Sequence, residues 1–157
     1  MRLRVIAVGT RMPAWVDGAV SEYSRRLPSA LPFTLTEVPS GRSGAARGAG
    51  ARARGAQGDR TLAELTARDF VVTLDERGRE LTTRELASWL GERMQEGRDL
   101  AFVIGGPDGL SPAVRARGDL CLALSRLTLP HALARVLLAE QLYRAHTLLS
   151  GHPYHRD

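Results

Sequence analysis

The last six residues, His152-Pro153-Tyr154-His155-Arg156-Asp157, place an aromatic ring, two imidazoles and a guanidinium side by side. Such groups can stack on a base, move a proton near neutral pH and hold a phosphate. Chain ends are usually polar and chemically idle. Here one of only eight aromatic residues sits between two histidines, so the tail reads as functional. A second candidate is Gly105-Gly106-Pro107-Asp108-Gly109, directly after the apolar run Leu100–Ile104. Backbone without Cβ atoms can approach a ligand closely. The run is not G-x-G-x-x-G and lacks the Lys and Ser/Thr of a P-loop, so a tight turn explains it at least as well. The third is Leu124-Ser125-Arg126-Leu127-Thr128-Leu129-Pro130-His131. Ser125 has no base at a recognisable spacing and no Gly-x-Ser-x-Gly around it, which disfavours a serine hydrolase. His131, after Pro130, reads first as a capping or packing residue at a helix start.

Glu140 and Arg144, four apart, are most simply an ion pair on a helix face. His146, His152 and His155 have no carboxylate or thiol at ligand spacing, so no metal is expected. Cys121 lies in an apolar run and reads as an inert core thiol. As the only cysteine it excludes an intramolecular disulfide.

All 22 basic residues are arginine, which fits phosphate binding but is more simply the codon bias of a GC-rich genome. Their distribution says more. Residues 40–60 hold Arg42, Arg47, Arg52, Arg54 and Arg60 against the single acid Asp59, so this stretch carries nearly all of the net charge of +5. Six glycines between 41 and 58 make a stable helix doubtful, at about 1 kcal/mol each relative to Ala. The expectation is a flexible basic arm over 40–58, serving either RNA phosphates or nothing more than solvation.

These candidates need a scaffold. Apolar runs predict strands at Leu3–Val8, Phe33–Val38, Phe70–Leu74, Leu100–Ile104 and Leu120–Leu124. Between them fall a helix opened by Pro13 with Trp15, Val16, Ala19, Val20, Tyr23 and Leu27 as its stripe, and a turn at Leu62–Leu65. Further on come a helix capped by Thr82 and Glu85 and closed by Gly97, and a short one from Ser111-Pro112. A long helix follows Pro130 to about Leu149. Strands alternating with helices predict an α/β fold, a parallel-rich sheet with helices on both faces, forming one domain over 1–157. Ligands in such folds sit beyond the C-terminal strand ends, which Leu74-Asp75, the glycine loop and 124–131 all occupy. The final helix is apolar nearly all round, so it should be buried on more than one side, with a second copy of the chain supplying one of them. The longest apolar runs are five residues, far short of a membrane span, and no secretory signal is visible. The expectation is a soluble cytoplasmic protein.

Taken together, several of these stretches are similar to one family. Ala7-Val8-Gly9-Thr10 with Met12-Pro13-x-Trp15, Leu74-Asp75, Ile104-Gly105-Gly106-Pro107-x-Gly109-Leu110-Ser111, Leu124-Ser125-x-Leu127-Thr128-Leu129-Pro130-His131 and the His152–Arg156 end resemble SPOUT-superfamily RNA methyltransferases. The likeness spans essentially the whole chain, with the motifs in order. It implies a SPOUT-type sheet with a C-terminal trefoil knot, and a homodimer. It also implies S-adenosyl-L-methionine as cofactor and, as substrate, N3 of a pseudouridine in helix 69 of 23S rRNA on the assembled ribosome. By the same likeness Leu74, Gly105, Leu124, Ser125, Arg126, Leu127, Thr128 and Leu129 bind the cofactor. Arg126 stands where a small residue is expected, so its side chain should point outward. Tyr154, His155 and Arg156 are the catalytic candidates, with His155 first for taking the proton. Another rRNA or tRNA target, or a catalytically silent RNA binder, is the alternative.

Overall fold

The computed structural model describes residues 1–40 and 49–155. Five strands, β1 (Leu3–Val8), β2 (Phe33–Val38), β3 (Phe70–Glu80), β4 (Leu100–Ile104) and β5 (Leu120–Ala123), form one sheet. Every pairing is parallel, and the order is β2-β1-β4-β3-β5. Alternate side chains feed two cores, as the pleat requires. Leu3, Val5, Ala7, Val72, Phe102 and Ile104 face α3 (Thr83–Glu96) and α5 (His131–Ser150). Ile6, Val8, Val71, Ala101 and Val103 face the other way, with Val114 of α4 (Pro112–Arg117) and Leu62 of α2 (Ala49–Ala63). The α/β sheet with helices on both faces is therefore present as expected.

Local signals set the helix ends. Thr82 accepts from the Glu85 N–H while Glu85 accepts from the Thr82 N–H, and Gly97 closes α3 at φ +73°. Helix α1 (Ala14–Ser24) begins after Pro13 and buries Val16 and Val20. Trp15, placed by its spacing on the apolar stripe, is instead 59% exposed, because the buried face is centred on Val16 and Val20 and Trp15 lies beside it.

The doubted helix is there. Helix α2 covers residues 49–58 of the presumed arm; residues 41–48 lie outside the described residues. Its glycines are part of the reason it can pack. At Gly58 a Cβ would stand 2.2 Å from Ser111 Oγ, so only glycine allows α2 this close to α4. Burial of Ala53, Gln57 and Thr61 against the sheet then outweighs poor propensity.

Strand β3 also runs further than its apolar stretch. Beyond Leu74 its pairing with β5 shifts register and continues at Arg79 and Glu80. Gly78 makes this possible, since a Cβ there would lie 2.6 Å from the Leu122 carbonyl carbon. Cys121 is exposed rather than buried, because β5 is an edge strand with one face partly uncovered.

Helix α5 lies against α1 and α3 of the same chain, which cover much of the surface expected to need a second copy. Its Arg135, 2% exposed, reaches back to β1 and β2. The guanidinium donates to Glu37 Oε2 at 2.8 Å and to the Gly9 carbonyl at 2.7 Å. Replacing it by Met keeps the apolar stem but strands a carbonyl and a carboxylate. Arg135→Met should cost about 3 kcal/mol, the lower end for breaking such a pair because Glu37 keeps some solvent. A urea midpoint equal to that of the unchanged protein would show that the pair contributes nothing.

Candidate active site

The part of β3 at its register shift, the C-terminal end of β4 and the segment after β5 enclose a cavity of about 550 Å³, within the range of small-molecule sites. It is lined by Leu74, Gly105, Leu124, Ser125, Leu127, Thr128 and Leu129, seven of the eight expected cofactor positions. Arg126 is not among them; its side chain is 85% exposed, 3.8 Å from Glu80. The departure from a small residue is thus accommodated by pointing outward.

Each wall has a local cause. Gly106 and Gly109 close a turn through the Gly109 N–H on the Gly106 carbonyl at 2.9 Å, with Gly109 at φ +75°. The tight-turn reading of this loop holds, and the loop also lines the cavity. A Cβ on Gly105 would sit 3.1 Å from the Gly109 carbonyl carbon and from Leu110 Cδ2, so glycine here keeps the loop folded on itself. In the 124–131 segment the Leu127 N–H donates to Ser125 Oγ at 2.9 Å, and the Thr128 hydroxyl donates to Glu76 Oε2 at 2.7 Å. Leu127 is left 74% exposed at the cavity edge.

Charged and titratable groups also line this cavity, Asp75, His131, Arg54 and Arg115 among them. Asp75 is held between the Arg77 backbone N–H, at 3.0 Å, and the Arg115 guanidinium. Burial raises its pKa, but these hydrogen bonds and the charge of Arg115 outweigh that, so the carboxyl stays below its usual range. His131, in the first turn of α5, lines the wall; burial and then the nearby Arg135 charge hold its pKa below the ordinary imidazole value. Both causes favour its neutral form. Arg54 comes from α2. His131 was visible in the sequence as a helix-start residue, but Arg54 and Arg115 were indistinguishable from other surface arginines.

The tail is elsewhere. His155 ends a 3-10 turn, Pro153–His155, and Arg156 lies outside the described residues. Tyr154 packs on α5: its ring centre is 4.7 Å from that of Tyr143, and its hydroxyl lies 3.1 Å from Glu140 Oε1. Arg144 covers the ring at 4.8 Å and pairs with Glu140 at 2.7 Å, so the expected helix-face pair exists and also buttresses the tail. Burial, with hydrogen bonds to Tyr23 and Glu140, raises the Tyr154 phenol pKa. Glu140 is six residues beyond Ala134, the last α5 residue on the cavity wall, about 9 Å along the helix. Within one chain the tail turn and the cavity are not brought together.

Residues 1–155 match the family model described as "Predicted SPOUT methyltransferase". The chain belongs to the SPOUT methyltransferase family. Over its whole length this SPOUT methyltransferase is 54% identical to a protein of Thiobacillus denitrificans named ribosomal RNA large subunit methyltransferase H, and covers all of it. It is 50% identical to a protein of the same name from Thioalkalivibrio sulfidiphilus, again with both chains fully covered. Among solved structures, a probable methyltransferase of Bordetella pertussis matches with a TM-score of 0.55 at 22% identity, over 91% of this chain and 95% of that one. A probable methylase family protein of Haemophilus influenzae matches with a TM-score of 0.54 at 15% identity, over 99% of this chain and 70% of that one. These structural likenesses carry the fold alone. Among the described residues no helix of the SPOUT methyltransferase is long and apolar enough to cross a membrane, and no three metal-ligating side chains gather.

Proposed function

We propose that the chain methylates large-subunit ribosomal RNA in the cytoplasm, as one domain over 1–157 that works as a homodimer and carries the C-terminal trefoil knot of its family. The target proposed is N3 of a pseudouridine in helix 69 of 23S rRNA on the assembled ribosome. The observation that carries the reading is the single cavity wall built by Leu74, Gly105, Leu124, Ser125 and Leu127–Leu129 from three neighbouring strands and the segments after them. It rests as well on the printed name of the full-length relatives.

The cavity fits S-adenosyl-L-methionine. Leucines 74, 124, 127 and 129 offer apolar surface for the faces of an adenine, and the turn and the 124–129 segment offer backbone N–H and C=O groups for its edge. The cofactor, when bound, supplies an electrophilic methyl group on a sulfonium.

The chain must do the rest. The N3–H of a pseudouridine is an imide, mostly protonated at neutral pH, and a poor nucleophile until that proton leaves. His155 is the proposed acceptor, Tyr154 the residue that positions the ring, and Arg156 the cation that stabilises the developing imidate or holds a flanking phosphate. Because Tyr154 is anchored at Glu140, about 9 Å along α5 from Ala134, the last cavity residue of that helix in its own chain, the proposal has each tail serve the partner's cavity. In-line transfer needs the nitrogen held about 3–3.5 Å from the methyl, which a tail brought across a dimer could enforce.

Methyl transfer to intact ribosomes, isolated subunits and naked rRNA, compared side by side, tests the reading. Transfer to intact ribosomes alone is expected. Equal transfer to naked rRNA would remove the assembled ribosome from it, and transfer only to tRNA would replace it.

A further inference from the structure

Helix α2 does more than cover the sheet. Its inward face, Gly50, Ala53, Arg54, Gln57, Gly58 and Thr61, follows the i, i+3, i+4 spacing and sits on the glycine loop and the start of α4. Gln57 is 3% exposed, with its Oε1 3.3 Å from where a Cβ of Gly106 would be, and Gly58 meets Ser111. These contacts fix the helix, and they fix Arg54 with it.

Arg54 is half-buried on the rim of the cavity. Its one hydrogen bond among the described residues is a long one, Nη1 to the Asp108 carbonyl at 3.4 Å, and it makes no ion pair there. The Asp108 carboxylate lies instead toward Gly50. The other arginines on the rim differ: Arg77 and Arg115 both lean on Asp75. Arg54 thus stands on a helix fixed against the glycine loop, and among the described residues most of its N–H groups have no partner. It comes from a helix carrying Arg52, Arg54 and Arg60 against one acid, Asp59.

We infer that Arg54 holds a backbone phosphate of the RNA strand at the cavity mouth, seating the target nucleotide beside the cofactor site. This rests on the proposed rRNA methyl transfer. A planar guanidinium forks onto two phosphate oxygens, and the packed α2 backbone that carries it would convert that bond into register as well as affinity. The neighbouring Arg52 lies on the outward face of the same helix and is exposed, so it serves as an internal control.

The test compares Arg54→Gln, Arg54→Lys and Arg52→Gln with the unchanged protein, measuring cofactor affinity by calorimetry and methyl transfer to ribosomes over a range of salt. In Arg54→Gln the KM for ribosomes should rise about tenfold, as loss of one charge-assisted contact implies. The log–log salt slope should shrink by about 0.7–0.9. Arg54→Lys should recover part of the KM, since a point charge replaces a fork. Cofactor affinity and melting temperature should stay unchanged in all three, and Arg52→Gln should lose less than Arg54→Gln. A fall in cofactor affinity with KM unaltered would overturn the inference by making Arg54 a ligand of the cofactor's carboxylate. Equal losses at Arg52 and Arg54 would overturn it by reducing the effect to diffuse charge. If the unchanged protein methylates no rRNA, the underlying reading falls; if it does and Arg54→Gln matches it, only the phosphate contact falls.

Discussion

Deleting Tyr154–Asp157 should leave S-adenosylmethionine affinity nearly intact while methyl transfer falls by about a hundredfold or more, the range for loss of a general base. The cavity is complete without these residues, and Tyr154 is anchored to Glu140, Tyr143 and Arg144, away from it. Mixed dimers make the test sharper. Pairing a deleted subunit with a Gly105→Val subunit leaves one sound cavity, and the only whole tail belongs to its partner. Activity near half that of the unchanged dimer is expected if tails act across the interface. Inactive mixed dimers, with both parents folded, would argue that the tail serves its own chain or that both sites must work together. Full activity of the deleted homodimer would reduce the tail to a packed terminus.

Gly105→Val should abolish measurable cofactor binding. The reason differs from simple occlusion. Gly105 does not have a positive φ, so backbone strain is not the cause. Its Cβ would press on the Gly109 carbonyl carbon and Leu110 at 3.1 Å, and valine's two further methyls must go either into that turn or into the cavity. Both routes damage the wall. Gly105→Ala, with a single methyl, should bind about tenfold more weakly while the turn gives by a few tenths of an ångström. Unchanged affinity in the valine variant, by calorimetry on protein with an unaltered melting curve, would detach this loop from the cofactor.

Much of the scaffold was legible because it obeys simple periodicities. Strands such as Leu100–Ile104 are buried on both faces and read as unbroken apolar runs, and the Thr82–Glu85 box announces its helix. What was missed has a common physical origin: it depends on partners distant in sequence. Helix α2 looked improbable because glycine lowers propensity, yet Gly58 is tolerated where Ser111, 53 residues on, needs the room. The continuation of β3 past Leu74 depends on Gly78 admitting β5. The round-apolar α5 finds α1 and α3 as neighbours within the chain, partners that its own periodicity could not name. In the site, the leucine and glycine positions followed from strand ends and the family likeness. Arg54 and Arg115 reach the same cavity from elements that only the fold brings there.

The strand order has a consequence for the chain as it is made. β1 lies between β2, which follows soon after it, and β4, which begins at Leu100. A nascent β1–β2 pair must wait while residues 39–99 are synthesised, about 3–12 s at ordinary elongation rates. Throughout that interval the backbone edge of Leu3–Ala7 that will pair with β4 has no partner strand. An unpaired apolar edge is a template for neighbouring chains. Slow translation between β2 and β4 should therefore divert this protein into aggregates, and a chaperone that shelters β1 until β4 emerges should raise its yield.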